Sequence, residues 1–299
     1  MRPLGFLVEE ERRPGGELEP VLTVFLAGSE CPFTCVFCDL WRYTLDTPTP
    51  LGALPAQVRV ALTDAAVRRA NPRRIKLYNA SNFFDPRAVP SSDLLVLADL
   101  LRPFAGVTVE CHPRLVGDAC LEFADRLQGR LEVAMGLETV HPEALARLNK
   151  RMSVDDFTRA AARLRRAQVE VRAFVLVGAP FVPREEGASW VVRSVAHALE
   201  QGAAVVALIP VRGGNGEMER LLASGAFHPP ALRDLETALE GALGLGTGVV
   251  LADLWDAARL PACEVCRPPR LQRLGRMNRT GRVEPAVRCA SCAESESLP

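Results

Sequence analysis

Short apolar runs alternate with longer stretches of helical periodicity along most of the chain. The first apolar, β-prone run covers residues 21–27, and Gly28-Ser29 follows it directly. Runs at 75–79, 107–110, 131–135, 171–177 and 203–211 continue the series. Between them a helical period marks roughly 54–70, 91–103, 117–128, 142–167 and 185–201. Strands of four to eight residues alternating with helices predict a parallel sheet covered by helices. Six such units suit an α/β fold of the partial (βα)6 TIM-barrel type. Its ligands gather beyond the C-terminal ends of the strands. The polar residues that end successive runs converge on one rim: Asn79 and Asn82, then Glu110, Glu138 and Pro180.

The pattern divides the chain. A polar segment, 1–20, precedes a barrel over 21–212. An extension, 213–259, opens on the Gly213, Gly214 and Gly216 turn, continues through a helix near 230–243 and an apolar run at 249–254, and reaches Trp255-Asp256. The final part, 260–299, holds four cysteines, many arginines and little to build a core, which predicts a small metal-stapled module. Its end, 294–299, reads as disordered.

A hydrophobic share of 48% with 24% charged residues is ordinary for a globular protein of 299 residues with one large core. Net charge is zero, so overall charge advertises no nucleic-acid partner. Lysine occurs only at Lys76 and Lys150, so a single arginine here is a weak sign of phosphate binding. No apolar run approaches the roughly 18 residues of a membrane span, and a Glu/Arg cluster stands where a signal peptide would be apolar. A cytoplasmic location is expected.

Seven of the nine cysteines fall in three tight groups, Cys31/Cys35/Cys38, Cys263/Cys266 and Cys289/Cys292. In a reducing compartment such groups read as metal ligands before disulfides. Three thiolates within the eight residues 31–38 can wrap one iron–sulfur cubane. The absent fourth ligand leaves one iron open to chelation by an amine and a carboxylate. Zinc would ask for four ligands, spaced as pairs.

Cys-x3-Cys-x2-Cys directly after a first strand, with Phe37 before the last cysteine, resembles the signature of the radical S-adenosylmethionine (SAM) superfamily, over about residues 20–212. The resemblance implies a [4Fe-4S] cluster on Cys31, Cys35 and Cys38, with SAM bound at the open iron. It further implies reductive cleavage of SAM to methionine and a 5′-deoxyadenosyl radical, with an electron donor such as flavodoxin or ferredoxin. Asn79, Ala80, Ser81 and Asn82 take the place of the family's Gly-rich turn that receives the SAM amino group. That turn has no glycine here, so small Ala80 and Ser81 must let the backbone approach. Glu110 and Glu138 look like the strand-end acids of the branch holding Elongator-type and coproporphyrinogen-oxidase-type enzymes, which hold SAM's amino group and ribose. Lys150, in Leu148-Asn149-Lys150, resembles that branch's base for the SAM carboxylate. An acid for the ammonium and a base for the carboxylate is what a zwitterion requires. Val177 lies in a stretch similar to the fifth-strand segment that packs along the adenine.

The two C-terminal Cys-x2-Cys knuckles suit tetrahedral zinc, with an auxiliary Fe–S cluster as the alternative. Between them lie Arg267, Arg270, Arg273, Arg276, Arg279, Arg282 and Arg288 against one acid, Glu284, which reads as a basic loop able to grip a phosphate backbone. Cys111 and Cys120 read as buried structural thiols. His112 is either a satisfied structural histidine or a proton-transfer group. The stretches 8–12, 77–85, 136–139 and 148–150, with the C-terminal cysteines, resemble the radical SAM subunit family of archaeosine synthase. That resemblance implies radical chemistry with a tRNA base as one candidate substrate. A small-molecule or peptide substrate is the second reading, and a non-catalytic zinc-knuckle RNA-binding protein the third.

Overall fold

In the computed structural model, which describes residues 1–292, each of the six apolar runs forms a strand. One eight-stranded sheet carries all strands in chain order. β1 (Gly5–Arg12) is antiparallel to β2 (Leu18–Phe25). β3 (Arg74–Tyr78), β4 (Gly106–Glu110), β5 (Arg130–Glu138), β6 (Glu170–Val177), β7 (Val205–Pro210) and β8 (Val249–Ala252) then follow, each parallel to its predecessor. Sequential order with right-handed crossovers curls the sheet into a half-barrel with helices outside.

Those helices are α1 (Ala53–Thr63), α2 (Ala65–Ala70), α3 (Ser91–Leu101), α4 (Asp118–Arg126), α5 (Pro142–Arg147), α6 (Val154–Arg166), α7 (Gly187–Glu200), α8 (Glu217–Ala223), α9 (Leu232–Leu243) and α10 (Arg267–Thr280). Alternate strand residues such as Leu22, Val24, Ile75, Leu77, Val107 and Val109 join the main core with Leu54, Leu97, Phe123, Phe157 and Leu239 from the helices. None of these helices is long and apolar enough to cross a membrane, among the described residues.

The other face of the strands lines the concave side. Its floor is a buried ionic network. Arg172 pairs with Glu11 at 2.5 Å and Glu132 at 2.8 Å, Thr108 donates to Glu132, and Lys76 pairs with Glu11. Arg13 adds contacts to Glu11, Glu132 and Glu170 at 3.1–3.3 Å. Burial raises the carboxylates, but Arg172 together with Lys76 at Glu11 and Arg13 at Glu132 outweighs it and holds both acids below the usual range. Above the floor comes a layer of aromatic rings: Phe25, Tyr78, Phe174 and, from the loop after β8, Trp255.

Three expectations change. Segment 1–20 is a hairpin of the sheet, because its alternate acids Glu9 and Glu11 pair with buried Lys76, and Glu9 also accepts from the Trp255 indole. The helical stretch 142–167 breaks between α5 and α6, where Ser153 and Asp156 form a capping box. The C-terminal arginine run is mostly helix. α10 packs against β1, β8 and α9 with Leu274 and Met277 in the main core. It also closes the seam between the edge strands. Asn278 bonds both the amide and the carbonyl of Ala252 at 2.8 Å, and Arg12 reaches the carbonyls of Val250 and Asn278. The tail expected to be disordered lies outside the described residues.

Candidate active site

The cysteine loop leaves β2 at the rim and is anchored from three sides. Ser29 N donates to Thr49 Oγ1 at 2.7 Å, and that hydroxyl donates to Ala88 O. Val36 N donates to Leu148 O, while Asn149 Nδ2 reaches Thr34 O and Oγ1. Asn215, in the Gly-rich turn after β7, donates to the carbonyls of Val36 and Cys38 and accepts from Met218 N. Phe37 and Val36 pack on Leu148, Leu176, Ala179 and Met218. Cys31, Cys35 and Cys38 are half-buried. Burial pushes the Cys35 thiol up to about 12 and Cys38 up to about 11, with the Lys150 charge pulling both partly back. A cation bound here must displace protons from both.

Asn82 touches the loop directly. Its Nδ2 donates to Cys31 Sγ at 3.1 Å, and its Oδ1 accepts from His112 N at 2.7 Å. His112 stacks on Phe33 with centroids 3.7 Å apart. Its Nδ1 accepts from Arg114 N, so Nε2 carries the hydrogen and donates to Lys150 O at 2.9 Å. Burial, then the Lys150 charge, lowers its pKa to about 4. A neutral ring bonded at both nitrogens is a positioning group, the structural alternative of the two read from the sequence. An N–H donor to a ligand sulfur stabilises the more negative, reduced state of a cluster. Were Cys31 a ligand of the iron–sulfur cluster that its spacing implies, Asn82→Ala would lower the reduction potential of that cluster by roughly tens of millivolts, read by an EPR-monitored redox titration. An unchanged potential would show that the contact does not tune the cluster.

The turn after β3 carries the second element. Ala80 sits at φ +54°, the left-handed region that glycine ordinarily fills. This directs the amides of Asn79, Ala80 and Ser81 at the Glu110 carboxylate. Burial raises Glu110 to about 7, and those amides offset part of the rise. Among the described residues, seven buried side-chain atoms lack a hydrogen-bond partner, and four gather here: Asn79 Nδ2 and Oδ1, Ser81 Oγ and Glu110 Oε1. Each such group costs about 1–3 kcal/mol, so their concentration fits a place that a polar ligand completes.

The third element is an ion pair. A register shift in β5 between Gly136 and Glu138 leaves Glu138 at φ +64°, and Asn149 and Arg151 flank Lys150 at +53° and +58°. Lys150 Nζ meets Glu138 Oε1 at 2.5 Å, both buried. Burial opposes the ammonium charge, but Glu138 together with Cys35 and Cys31 outweighs it and raises the Lys150 pKa. A Cβ on Gly136 would collide with both partners, so glycine provides the room for the pair. Among the described residues, four of the seven non-glycine residues with positive φ thus stand at this rim, the stored strain of a functional site.

Residues 27–190 match the radical SAM superfamily. The chain belongs to it. Membership of the radical SAM superfamily implies a [4Fe-4S] cluster and SAM. It is 22% identical over 164 residues to an uncharacterized protein of Methanocaldococcus jannaschii, covering 53% of this chain and 45% of that protein. The chain thus spans about half the length of the curated relative it matches. In fold it is similar to archaeal Elp3 from Methanocaldococcus infernus, with a TM-score of 0.58 at 13% identity over 75% of this chain and 59% of the other. SuiB of Streptococcus suis bound to S-adenosylmethionine gives a TM-score of 0.53 at 11% identity, covering 80% and 50%. Coproporphyrinogen III oxidase (HemN) of Escherichia coli gives 0.50 at 14%, covering 78% and 53%.

The half-barrel brings Cys31, Cys35, Cys38, Asn82, Glu110, Glu138 and Lys150 to one rim. Val177 differs. Its side chain belongs to the helix-facing core, and Leu176 and Ala179 are the residues of that strand end which pack against the cysteine loop. Phe33, His112, Asn149 and Asn215 support the loop, a role that no spacing motif assigns to them. Only a tertiary contact reveals them.

The C-terminal thiols Cys263, Cys266, Cys289 and Cys292 form a separate group, with all four sulfurs within 4.8 Å of one another. The arginines between them are largely committed. Arg267 pairs with Glu264, Arg270 and Arg273 with Glu236, Arg276 with Glu284, and Arg279 with Glu10. Arg282 and Arg288 remain exposed. The phosphate-gripping loop read from composition is therefore mostly an internally neutralised helix.

Proposed function

We propose that Cys31, Cys35 and Cys38 hold the [4Fe-4S] cluster and that SAM lies between it, Glu110 and Lys150. When bound and reduced, with flavodoxin or ferredoxin as donor, the cluster supplies the electron that cleaves SAM to methionine and a 5′-deoxyadenosyl radical. The observation that carries this reading is the set of partnerless buried polar atoms around Glu110, beside a thiol triplet. Glu110 with the 79–81 turn receives an ammonium. Lys150, kept charged by Glu138, orients a carboxylate. The walls of the half-barrel exclude water and stray hydrogen donors from the reacting group.

The aromatic layer beneath the rim supports a planar substrate. Phe25, Tyr78, Phe174 and Trp255 offer ring faces and edges at centroid distances of 5.0–6.5 Å, to which a heterocycle stacks well. Directly after Cys38, Trp41 and Tyr43 are exposed, with the Arg42 guanidinium 5.4 Å from the Trp41 ring. This supports modification of a tRNA base. Unfractionated tRNA is expected to bind with salt-dependent affinity and to stimulate 5′-deoxyadenosine formation several-fold. Binding absent at low salt would reject it. The committed arginines of α10 favour a second reading, in which a small molecule or peptide enters the same lumen. Stimulation by a low-molecular-weight extract and not by tRNA would select that reading.

A further inference from the structure

We infer that Cys263, Cys266, Cys289 and Cys292 form a mononuclear tetrahedral zinc site that fastens α10 across the seam between β1 and β8. Spacing decides the class of metal. A Zn–S bond of about 2.3 Å sets the sulfur–sulfur edge of a tetrahedron at about 3.8 Å. Cys263 Sγ and Cys289 Sγ stand 3.9 Å apart, and Cys266 Sγ and Cys292 Sγ 3.7 Å apart, with every pair inside 4.8 Å. A cubane sets each thiolate outward on a different iron corner and spreads the sulfurs farther. A two-iron cluster brings sulfurs together in pairs but separates the pairs. Neither fits four sulfurs that are all mutual neighbours. The triplet at the rim forms no such gathering: among the described residues the C-terminal four are the one group of three or more donors this close.

The surroundings are built for the charge such a site carries. Four thiolates around a divalent ion leave two negative charges. Arg270 Nε donates to Cys266 Sγ at 3.2 Å while its other arm pairs with buried Glu236 on α9. Arg267 lies beside the first knuckle, held by Glu264 and by the carbonyls of Ala258 and Leu260. Each knuckle closes its own turn, with Arg267 N on Cys263 O at 2.9 Å and Cys292 N on Cys289 O at 3.2 Å. The first knuckle sits at the start of α10 and the second on the segment that returns from its end. One ion therefore pins the returning segment to the start of the helix that bridges the sheet edges. Zinc binds nitrogen–sulfur sites more tightly than iron(II) in the divalent series, and a closed tetrahedron with no open position is a structural site.

The test does not depend on SAM cleavage. The full chain, reconstituted anaerobically with iron and sulfide, is analysed for metals. We expect about one zinc and about four iron per chain. About eight iron, or a single extra iron in place of zinc, overturns the proposal. Cobalt(II) titrated into zinc-depleted full chain should saturate at about one equivalent with the visible bands of a tetrahedral tetrathiolate. Octahedral spectra overturn it. In the Cys289→Ser/Cys292→Ser double variant the zinc should be lost while the iron content and cluster spectrum of the rim site stay. Should that variant prove insoluble, the cobalt titration of the wild type still decides.

Discussion

Arg172→Met is expected to destabilise the protein by about 3–5 kcal/mol, the cost of leaving buried charges without their partner. Arg172 is the hub of the floor, in contact with Glu11 and Glu132, and both acids are nearly inaccessible to water. Methionine matches the aliphatic stem but leaves Glu11 and Glu132 to share only Lys76 and Arg13 as cationic partners. The pH dependence gives a second readout. Both carboxylates are held below their ordinary range in the folded chain, so the stability they contribute is fully present above about 4.5 and lost as pH falls through the lowered values. In the variant the acids titrate upward instead, so its deficit should be largest near neutrality and shrink on acidification. Urea denaturation followed by circular dichroism at pH 7 and pH 5 measures both. A variant within 1 kcal/mol of wild type at pH 7 would show that the network is solvated or dispensable.

Glu110→Gln is expected to weaken SAM binding about 10–100-fold, the range of one charge-assisted hydrogen bond. The wild type should carry a pH signature that the variant lacks. Glu110 titrates near 7 because of burial, and its protonated form offers no charge to an ammonium. Affinity should therefore rise as pH increases from 6 through 7, where about half of the acid is ionised, toward 8. It should fall again above about 8, where an α-amino group loses its own proton. Calorimetric titration of SAM into reconstituted protein across this range tests the assignment. The same rising limb in wild type and variant would place the titrating group elsewhere.

Much of this was legible in the sequence, for a physical reason. Strand periodicity at 21–27, 75–79 and 171–177 reports burial on both faces, and the cysteine spacing reports the wrapping of a cluster. The hairpin of β1 was not legible. Its inward residues are Glu9 and Glu11, which read as solvated until Lys76, Arg172 and Trp255 arrive from distant strands and loops. The break between α5 and α6 was hidden for a similar reason. The helical period runs through 142–167, and only the left-handed Asn149 and Arg151 lift Lys150 into the rim. Arginine counting misled in α10, because composition records charges and not the carboxylates of α9 and β1 that neutralise them. His112 holds the loop by stacking on Phe33, and Asn215 by hydrogen bonds to the carbonyls of Val36 and Cys38, contacts across long separations that no local pattern encodes.

The most direct test of the central claim is chemical. The protein is reconstituted anaerobically with iron and sulfide, reduced, incubated with SAM and assayed for 5′-deoxyadenosine beside a Cys35→Ala control. Deoxyadenosine from the wild type and none above background from the variant is the result this account requires. A fully reconstituted, reduced wild type that yields no more deoxyadenosine than Cys35→Ala would contradict it.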